Sequence, residues 1–518
     1  MNTLLLSPSA EPYLLVALGF IAALILRRLI DGPPLQTKID ASLPPSPPSL
    51  PFIGNVHQLT KGPLEIQFTE WSKMLGSIFT IKLGVKRWVV LNSINVVKDL
   101  IVERSNIYSS RDMPDILTGI LFRGDQGAPI PFMTYNDQWR QIRRITHSSL
   151  TKAKINDYQP IIDARTNFMI KSLYEASQAS ANNVIAPVEF FDFYAVSTMF
   201  AVIFGANIKL NDERIKRSNE VTQEATRLIG PGEQLMEFFP MFKSLPNTTM
   251  ELVMAIREKT EAFWDEQYST LKKRVEEGKA VDCILKEVIA TQSKEHLTDL
   301  QQVHIGSTLN SAGSEMISIT IQWMCAILVH YPEVQDRAFA EIERIVGRNR
   351  LPTNKDETLR YRTPAPFAIP HATSREDTYQ GYCIPKGTTV VINIHAIHND
   401  PIRYPNPEMF NPGRHIDYVH ATDSKIVSEF SDRPHLAFST GRRLCVGINL
   451  AERILFTAIS RLLACFRIEF ATDELGNRVP VEIVKHNVGN GATCIPIPYK
   501  VKLVPRHDGV GRLAGSNM

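Results

Sequence analysis

The residues best placed to do chemistry lie in FSTGRRLCVGINLAER, Phe438 to Arg453, where one cysteine stands with no second cysteine near it. Gly441, Arg442, Arg443 and Gly447 crowd around Cys445, and a good helix former begins at Ile448. These surroundings hold a sulfur as an anion: glycines let backbone N–H groups turn toward it, arginines add positive potential, and a helix start adds its positive end. The spacing F-x-x-G-x-R-x-C-x-G fixes Phe438, Gly441, Arg443, Cys445 and Gly447. With each residue type at about one in twenty, the coincidence arises in roughly one chain of this length in several thousand. A thiol by itself is ordinarily a small buried hydrophobe, and that reading suits the other cysteines. Cys283, Cys325, Cys383, Cys465 and Cys494 are widely spaced with no C-x-x-C pair. They suggest neither a zinc cluster nor a disulfide framework, and they suit a reducing compartment.

Other constellations lie elsewhere. Trp139 and Arg143 in DQWRQIRR are four residues apart, hence on one helical face. A long apolar helical stretch contains SAGSEMIS, with Ala312, Gly313 and Glu315. Glu357 and Arg360 form E-x-x-R, uninformative alone but followed by FNPGR with Phe410, Pro412 and Arg414. His371 lies in IPHATSRED at a strand end. His395 and His398, three apart at another strand end with no third ligand, read as structural.

In this order the segments resemble the cytochrome P450 monooxygenases, and the cysteine segment resembles their haem-binding loop. The resemblance implies a cytochrome P450 fold and haem b (heme, iron protoporphyrin IX) with Cys445 as the axial ligand of its iron. A thiolate in that position pushes electron density onto the iron and favours O–O cleavage. By the same resemblance Arg443, Trp139, Arg143 and His371 serve the haem propionates, Phe438 packs beside the ligand, and Gly441 and Gly447 shape the loop. Glu357, Arg360 and Arg414 form a structural triad behind the haem. Ala312, Gly313 and Glu315 belong to the oxygen-handling turn, with a kink near Gly313. The implied reaction inserts one oxygen atom from O2 into a lipophilic small molecule, and the sequence most resembles fungal enzymes that tailor secondary metabolites. Electrons come from NADPH through a separate NADPH–cytochrome P450 reductase, because no Gly-rich nucleotide loop or flavin segment is visible. Arg140, Arg144 and Arg442 are candidate docking residues, and Ile116 to Ile130, Ala312 and Pro364 to Pro370, with Phe122 and Phe367, are candidate lining segments.

Two departures stand out. Met316 occupies the position where the family has a threonine, and a thioether cannot donate a hydrogen bond. Either a bound water or a substrate hydroxyl serves instead, or turnover leaks hydrogen peroxide. In RLPTNKDETLRYRTP, Arg350 to Pro364, about fifteen residues that relatives carry before E-x-x-R are missing, through a gene-model error or a true deletion. What remains is barely two helical turns, too short to be stable without tertiary packing; a true deletion implies weak haem retention. These departures leave two rival readings, an isomerase or dehydratase on the same fold and a haem-binding remnant.

The positioning elements follow from the pattern. Ser77 to Asn92 reads as a hairpin around Gly84, followed by a helix capped by Ser93. Residues 137 to 345 are overwhelmingly helical, with a helix from about Leu297 to His330, and another spans Ile448 to Leu463. Short strands follow Pro364, notably Thr388 to Ile394, and return from Phe466 to Val504. The fold is therefore mainly α with a smaller β portion drawn from both ends of the chain. Residues 1–32 form a membrane anchor: Tyr13 to Ile30 is apolar but for Arg27 and Arg28, long enough nearly to cross a bilayer with the rest cytosolic. Residues 33–55 are a proline-rich linker, and 56–518 are one catalytic domain in the cytosol at the endoplasmic reticulum membrane. A net charge of +3 argues against nucleic-acid partners.

Overall fold

The computed structural model of the 518-residue chain describes residues 43–510, apart from 60–61, 125–126, 229–234, 245–248, 347–354, 416–429, 431–432, 474, 488–491 and 508. The anchor expected at Tyr13 to Ile30, the first part of the linker and most of the shortened segment before Glu357 lie outside these residues. The described prolines do not stand off from the domain. The Pro45 carbonyl accepts from the Thr80 N–H at 2.7 Å, and the buried Asn55 amide donates to the carbonyls of Pro47 at 3.4 Å and Pro48 at 3.2 Å.

The hairpin forms as the alternation predicts. β1 (Ile78–Leu83) and β2 (Lys86–Leu91) pair antiparallel from Ile78↔Leu91 to Leu83↔Lys86. Gly84 turns at φ +57°, where a side chain would also meet the Phe238 carbonyl oxygen at 2.0 Å. Ser93 caps the next helix by accepting from the Val96 N–H. The hairpin joins β3 (Ser110–Arg111), β5 (His371–Ala372) and β8 (Thr389–Ile392) in one five-stranded sheet, ordered β1-β2-β8-β5-β3. β2 and β8 run parallel, Trp88↔Thr389 to Leu91↔Ile392; Val89, Val90, Val390 and Val391 are all buried, the two-sided burial that parallel pairing demands. β4 (Val184–Ile185), β12 (Val501–Pro505) and β9 (Phe466–Phe470) form a second sheet. Two small hairpins complete the β portion: β6 (Asp377–Tyr379) with β7 (Tyr382–Ile384), and β10 (His486–Asn487) with β11 (Ile495–Pro496).

Helices form the larger layer. Among them are α1 (Leu64–Leu75), α2 (Asp137–Ser148), α3 (Gln159–Ala179), α4 (Val188–Phe204), α5 (Thr249–Glu276) and α6 (Asp299–His330). Thr298 and Gln301 make a reciprocal capping box at the start of α6, whose 32 residues span about 48 Å. Every residue of α6 from Ile317 to Val329 is buried, packed on α4 and on α9 (Ile448–Cys465). α6 is the one helix among the described residues long and apolar enough to cross a membrane, but 78% of its apolar window is buried inside the protein, which makes it the core helix. α4 is buried on every face from Phe193 to Phe204, and Phe200 and Phe204 stack on Trp264 of α5 at 6.0 and 5.9 Å.

The E-x-x-R segment forms α7 (Lys355–Tyr361), seven residues long. Packing supplies the stability its length denies. Leu359 and Tyr361 are buried, the Thr358 hydroxyl lies 2.8 Å from the Met324 sulfur on α6, and Arg360 donates to the carbonyls of His398, Pro407 and Met409 at 2.9, 3.1 and 3.4 Å. Arg414 reaches the Met409 carbonyl at 3.1 Å, so the two arginines converge; the Glu357 side chain lies outside the described residues. His395 and His398 sit in a short helix, α8 (Ile394–His398), not at a strand end, because the Asn393 side chain accepts from the Ala396 N–H and caps it. Their structural role stands: His395 Nδ1 pairs with the Thr69 hydroxyl at 2.9 Å, and His398 Nε2 accepts from the Leu436 N–H at 2.8 Å.

Candidate active site

The cysteine loop is built by backbone constraint. Gly441 turns at φ +61°, and a side chain there would stand 2.8 Å from the Ile101 carbonyl oxygen, so the loop approaches its neighbour too closely for any other residue. The Cys445 N–H closes the turn on the Phe438 carbonyl at 2.9 Å, and Phe438 packs against the His435 ring at 5.7 Å. Gly447 then caps α9. Burial pushes the Cys445 thiol up, while the Gly447 N–H and Arg143 pull it down. Yet Cys445 is the most exposed of the six cysteines. A sulfur at that depth with an accessible surface faces open interior space.

A cradle of positive charge surrounds that space. Arg443 is buried and spends its donors on neutral carbonyls, Ser109 at 2.8 Å, Ile130 at 3.3 Å and Met133 at 2.7 Å. Its guanidinium lies 4.5 Å from the centre of the Trp139 ring, and that of Arg143 lies 5.8 Å from the same ring. The Asn136 side chain accepts from the Trp139 N–H at 2.8 Å and starts α2, which fixes both residues on one face. Burial, then Arg143, lowers Arg443 to about 9. Arg111 in β3 donates to the carbonyls of Pro131, Ile369 and Pro370 at 2.9, 2.6 and 3.2 Å, and burial holds it well below its ordinary value. β3 sets Arg111 opposite His371 of β5. His371 Nδ1 donates to the Tyr108 carbonyl at 2.7 Å, and its Nε2 is buried with no partner. Among the described residues no carboxylate pairs with Arg111, Arg143 or Arg443. Buried charge of one sign needs a counter-charge. An accessible sulfur, three uncompensated guanidinium groups and an orphan imidazole nitrogen fit an iron porphyrin bearing two carboxylates.

The long helix α6 faces this region with Ala312, whose side chain is exposed. The helix runs unbroken through Gly313. A side chain there would meet the Met199 methyl carbon at 2.4 Å, the movable end of a flexible side chain, so α4 packs closely on Gly313. Ser314 donates to the Asn310 carbonyl at 2.6 Å and Ser318 to Asp192, so both hydroxyls turn away as helical spacing predicts. The Glu315 carboxylate accepts from the Thr493 hydroxyl at 3.1 Å; burial raises Glu315 to about 7, with Thr493 opposing. Met316 is half-buried against the core.

The sequence profile of the cytochrome P450 family matches residues 44–487. The chain belongs to that family. It is 30% identical over 524 residues to the cytochrome P450 monooxygenase fogE of Aspergillus ruber, covering 98% of this chain and 94% of that one. A cytochrome P450 monooxygenase of Armillaria gallica is 31% identical over 485 residues, covering 90% of each chain. A zebrafish cytochrome P450 solved with progesterone superimposes with a TM-score of 0.71 at 22% identity, over 86% of this chain and all of that one, which shows the shared fold. As a cytochrome P450 monooxygenase the chain is an oxidoreductase, and the family implies a haem.

Within this cytochrome P450 other expectations fare unevenly. Of the docking arginines, Arg144 is paired with Glu295 by two hydrogen bonds of 2.8 Å and Arg140 with Asp137, whereas Arg442 is exposed and bonds the Tyr135 hydroxyl at 2.6 Å. Part of the stretch Ile116 to Ile130 does meet α6: Gly127, Ala128, Pro129 and Ile130 line a cleft with Thr308 and Leu309. Phe367 instead packs on Phe68 at 5.5 Å, away from the cleft. Arg111 and Thr493 escaped sequence reasoning, since neither sits in a spaced motif.

One further cluster joins α1 to β10. Glu65 Oε1 accepts from His486 Nε2 at 2.6 Å, and the Cys494 sulfur lies 3.6 Å from the same nitrogen. Burial pushes Glu65 up, but the His486 contact outweighs it and holds the carboxyl below its ordinary value. The Glu65 hydrogen bond holds His486 above its own. The histidine's contribution is therefore complete below its unfolded pKa and is lost as pH rises through its raised folded value. The carboxylate's is present above its unfolded pKa and is lost as pH falls through its lowered one. His486→Gln is expected to lower stability by about 3 kcal/mol in slightly acid solution. Denaturant unfolding should show the gap to the unsubstituted chain narrowing as pH rises above about 6.5, the ordinary histidine value.

Proposed function

We propose that the chain is a membrane-anchored haem-thiolate monooxygenase. It inserts one oxygen atom of O2 into a lipophilic small molecule of secondary metabolism, with electrons passed from NADPH by a separate reductase. The observation that carries this reading is the accessible face of Cys445 set among guanidinium groups that lack a carboxylate among the described residues. Cys445 would hold the iron, and Arg443, Arg143, Arg111, Trp139 and His371 Nε2 would serve the two propionates. When bound, the haem supplies the oxygen-activating centre, to which the sulfur lends electron density.

The remaining work falls to the chain. The Gly447 N–H and the start of α9 stabilise charge on the sulfur. The narrow cleft beside Leu309 marks surface on α6 that would contact a greasy ligand. Glu315 at about 7 can hold or release a proton at its carboxyl oxygen near neutral pH. The apolar run before Arg27 and Arg28 supports a single-pass anchor in the endoplasmic reticulum membrane with the domain in the cytosol. Exposed Arg442 is the best of the three proposed reductase contacts.

The test is reconstitution of the full chain with haem and NADPH–cytochrome P450 reductase, feeding lipophilic candidates under isotopically labelled dioxygen. The expected result is NADPH-dependent product carrying one labelled oxygen. Product formed without NADPH and without label would move the chain to the isomerase or dehydratase class.

A further inference from the structure

Met316 leaves the buried acid Glu315 without a hydroxyl beside it on α6, and the other hydroxyls of that helix do not fill the gap. Ser314 and Ser318 are bonded elsewhere, and Thr320 donates to the Met316 carbonyl at 2.7 Å. Thr308 has a buried, unpartnered hydroxyl, but it stands two helical turns from Glu315. The hydroxyl that reaches the acid comes from a different element. Thr493, just before β11, places its Oγ1 3.1 Å from Glu315 Oε1.

Two bonds keep it there. The Cys494 N–H donates to the Pro364 carbonyl at 2.8 Å, and the Cys494 carbonyl accepts from the Trp323 indole, on α6 itself, at 2.8 Å. The segment carrying Thr493 is thus pinned to the helix carrying Glu315. Glu315 also lies three residues beyond Ala312, on the helical face that looks onto the open space.

We propose that Thr493 replaces the helix hydroxyl missing at Met316, so that Glu315 and Thr493 form an acid–alcohol pair assembled from two elements of the fold. The proposal rests on the haem-thiolate reading above. The Glu315 carboxyl, held by the hydrogen bond it accepts from Thr493 Oγ1, gives its own proton to a water in the site. The carboxylate is then reprotonated from solvent, and the hydroxyl ends with the proton count it began with. Thr493 is in this sense a positioning residue, acting through Glu315.

The experiment uses the full-length holoprotein with Thr493→Val, Thr493→Ser, Glu315→Gln and the double variant Thr493→Val/Met316→Thr. Infrared difference spectra near neutral pH should show a protonated carboxyl band that Glu315→Gln removes, Thr493→Val shifts and Thr493→Ser preserves. With reductase and NADPH, hydrogen peroxide released per NADPH consumed should rise several-fold in Thr493→Val. It should stay at the unsubstituted level in Thr493→Ser and return to it in the double variant. An unchanged peroxide yield in Thr493→Val overturns the proposal. So does a rise that Met316→Thr does not reverse, since a merely structural threonine would not be rescued from the helix. A holoprotein lacking the thiolate-type carbon monoxide band, yet showing the Thr493-dependent carboxyl band, would locate the failure in the haem-thiolate reading and would remove this role with it.

Discussion

Cys445→Ala is expected to abolish the thiolate-type band of the reduced carbon monoxide complex and all NADPH-dependent product, while leaving a folded chain. The second half of that statement follows from the loop. The bond that closes it runs from the Cys445 N–H to the Phe438 carbonyl at 2.9 Å, and the turn depends on Gly441 at φ +61°; neither needs the sulfur. The side chain is exposed to open space, so removing it forfeits little packing. What would disappear is the side chain proposed to hold the iron and lend it charge. Absorbance of the carbon monoxide complex, haem content per chain and a thermal melt by circular dichroism separate these effects. An alanine variant that keeps the thiolate-type spectrum would remove the basis of the proposed function.

Arg360→Leu is expected to cost about 3–9 kcal/mol, enough to prevent accumulation of folded protein. The guanidinium is 1% exposed and satisfies three carbonyls, those of His398, Pro407 and Met409. It also lies 5.2 Å from the Tyr404 ring centre. Leucine fills part of the volume and bonds none of the carbonyls, each of which then carries a penalty of about 1–3 kcal/mol. Total stabilities are only about 5–15 kcal/mol, and α7, at seven residues, contributes nothing by itself. Arg360→Lys keeps the charge but loses the planar fork and should fall between the two. Yield of soluble chain and urea midpoints provide the check, and a leucine variant with an unchanged midpoint would show that the short helix is held by something else.

The sequence disclosed the parts whose chemistry dictates residue type at fixed spacing. Cys445 with Phe438, Gly441, Arg443 and Gly447 is such a case, as are Trp139 with Arg143 and the hairpin around Gly84. Hidden features were those created by contacts between distant segments. The Thr493–Glu315 hydrogen bond joins positions 178 apart, and Arg111 acquires its place only because β3 pairs with β5. The close packing of Gly313 on Met199 was likewise hidden, since Met199 announces nothing about its partner. His395 and His398 looked like a strand end because the cap at Asn393 reads equally well as a turn residue.

The parallel register of β2 on β8 also governs how the nascent chain must mature. Asn92 and Asn393, hydrogen-bonded at 2.9 Å across the joined strands, are separated by 301 residues. While the ribosome makes that interval, the hairpin edge waits unpaired, rich in valine and ready to recruit any other strand it meets. Chaperone supply and slow elongation at low temperature therefore bear more heavily on recovery of this enzyme than changes to its already well-packed helices.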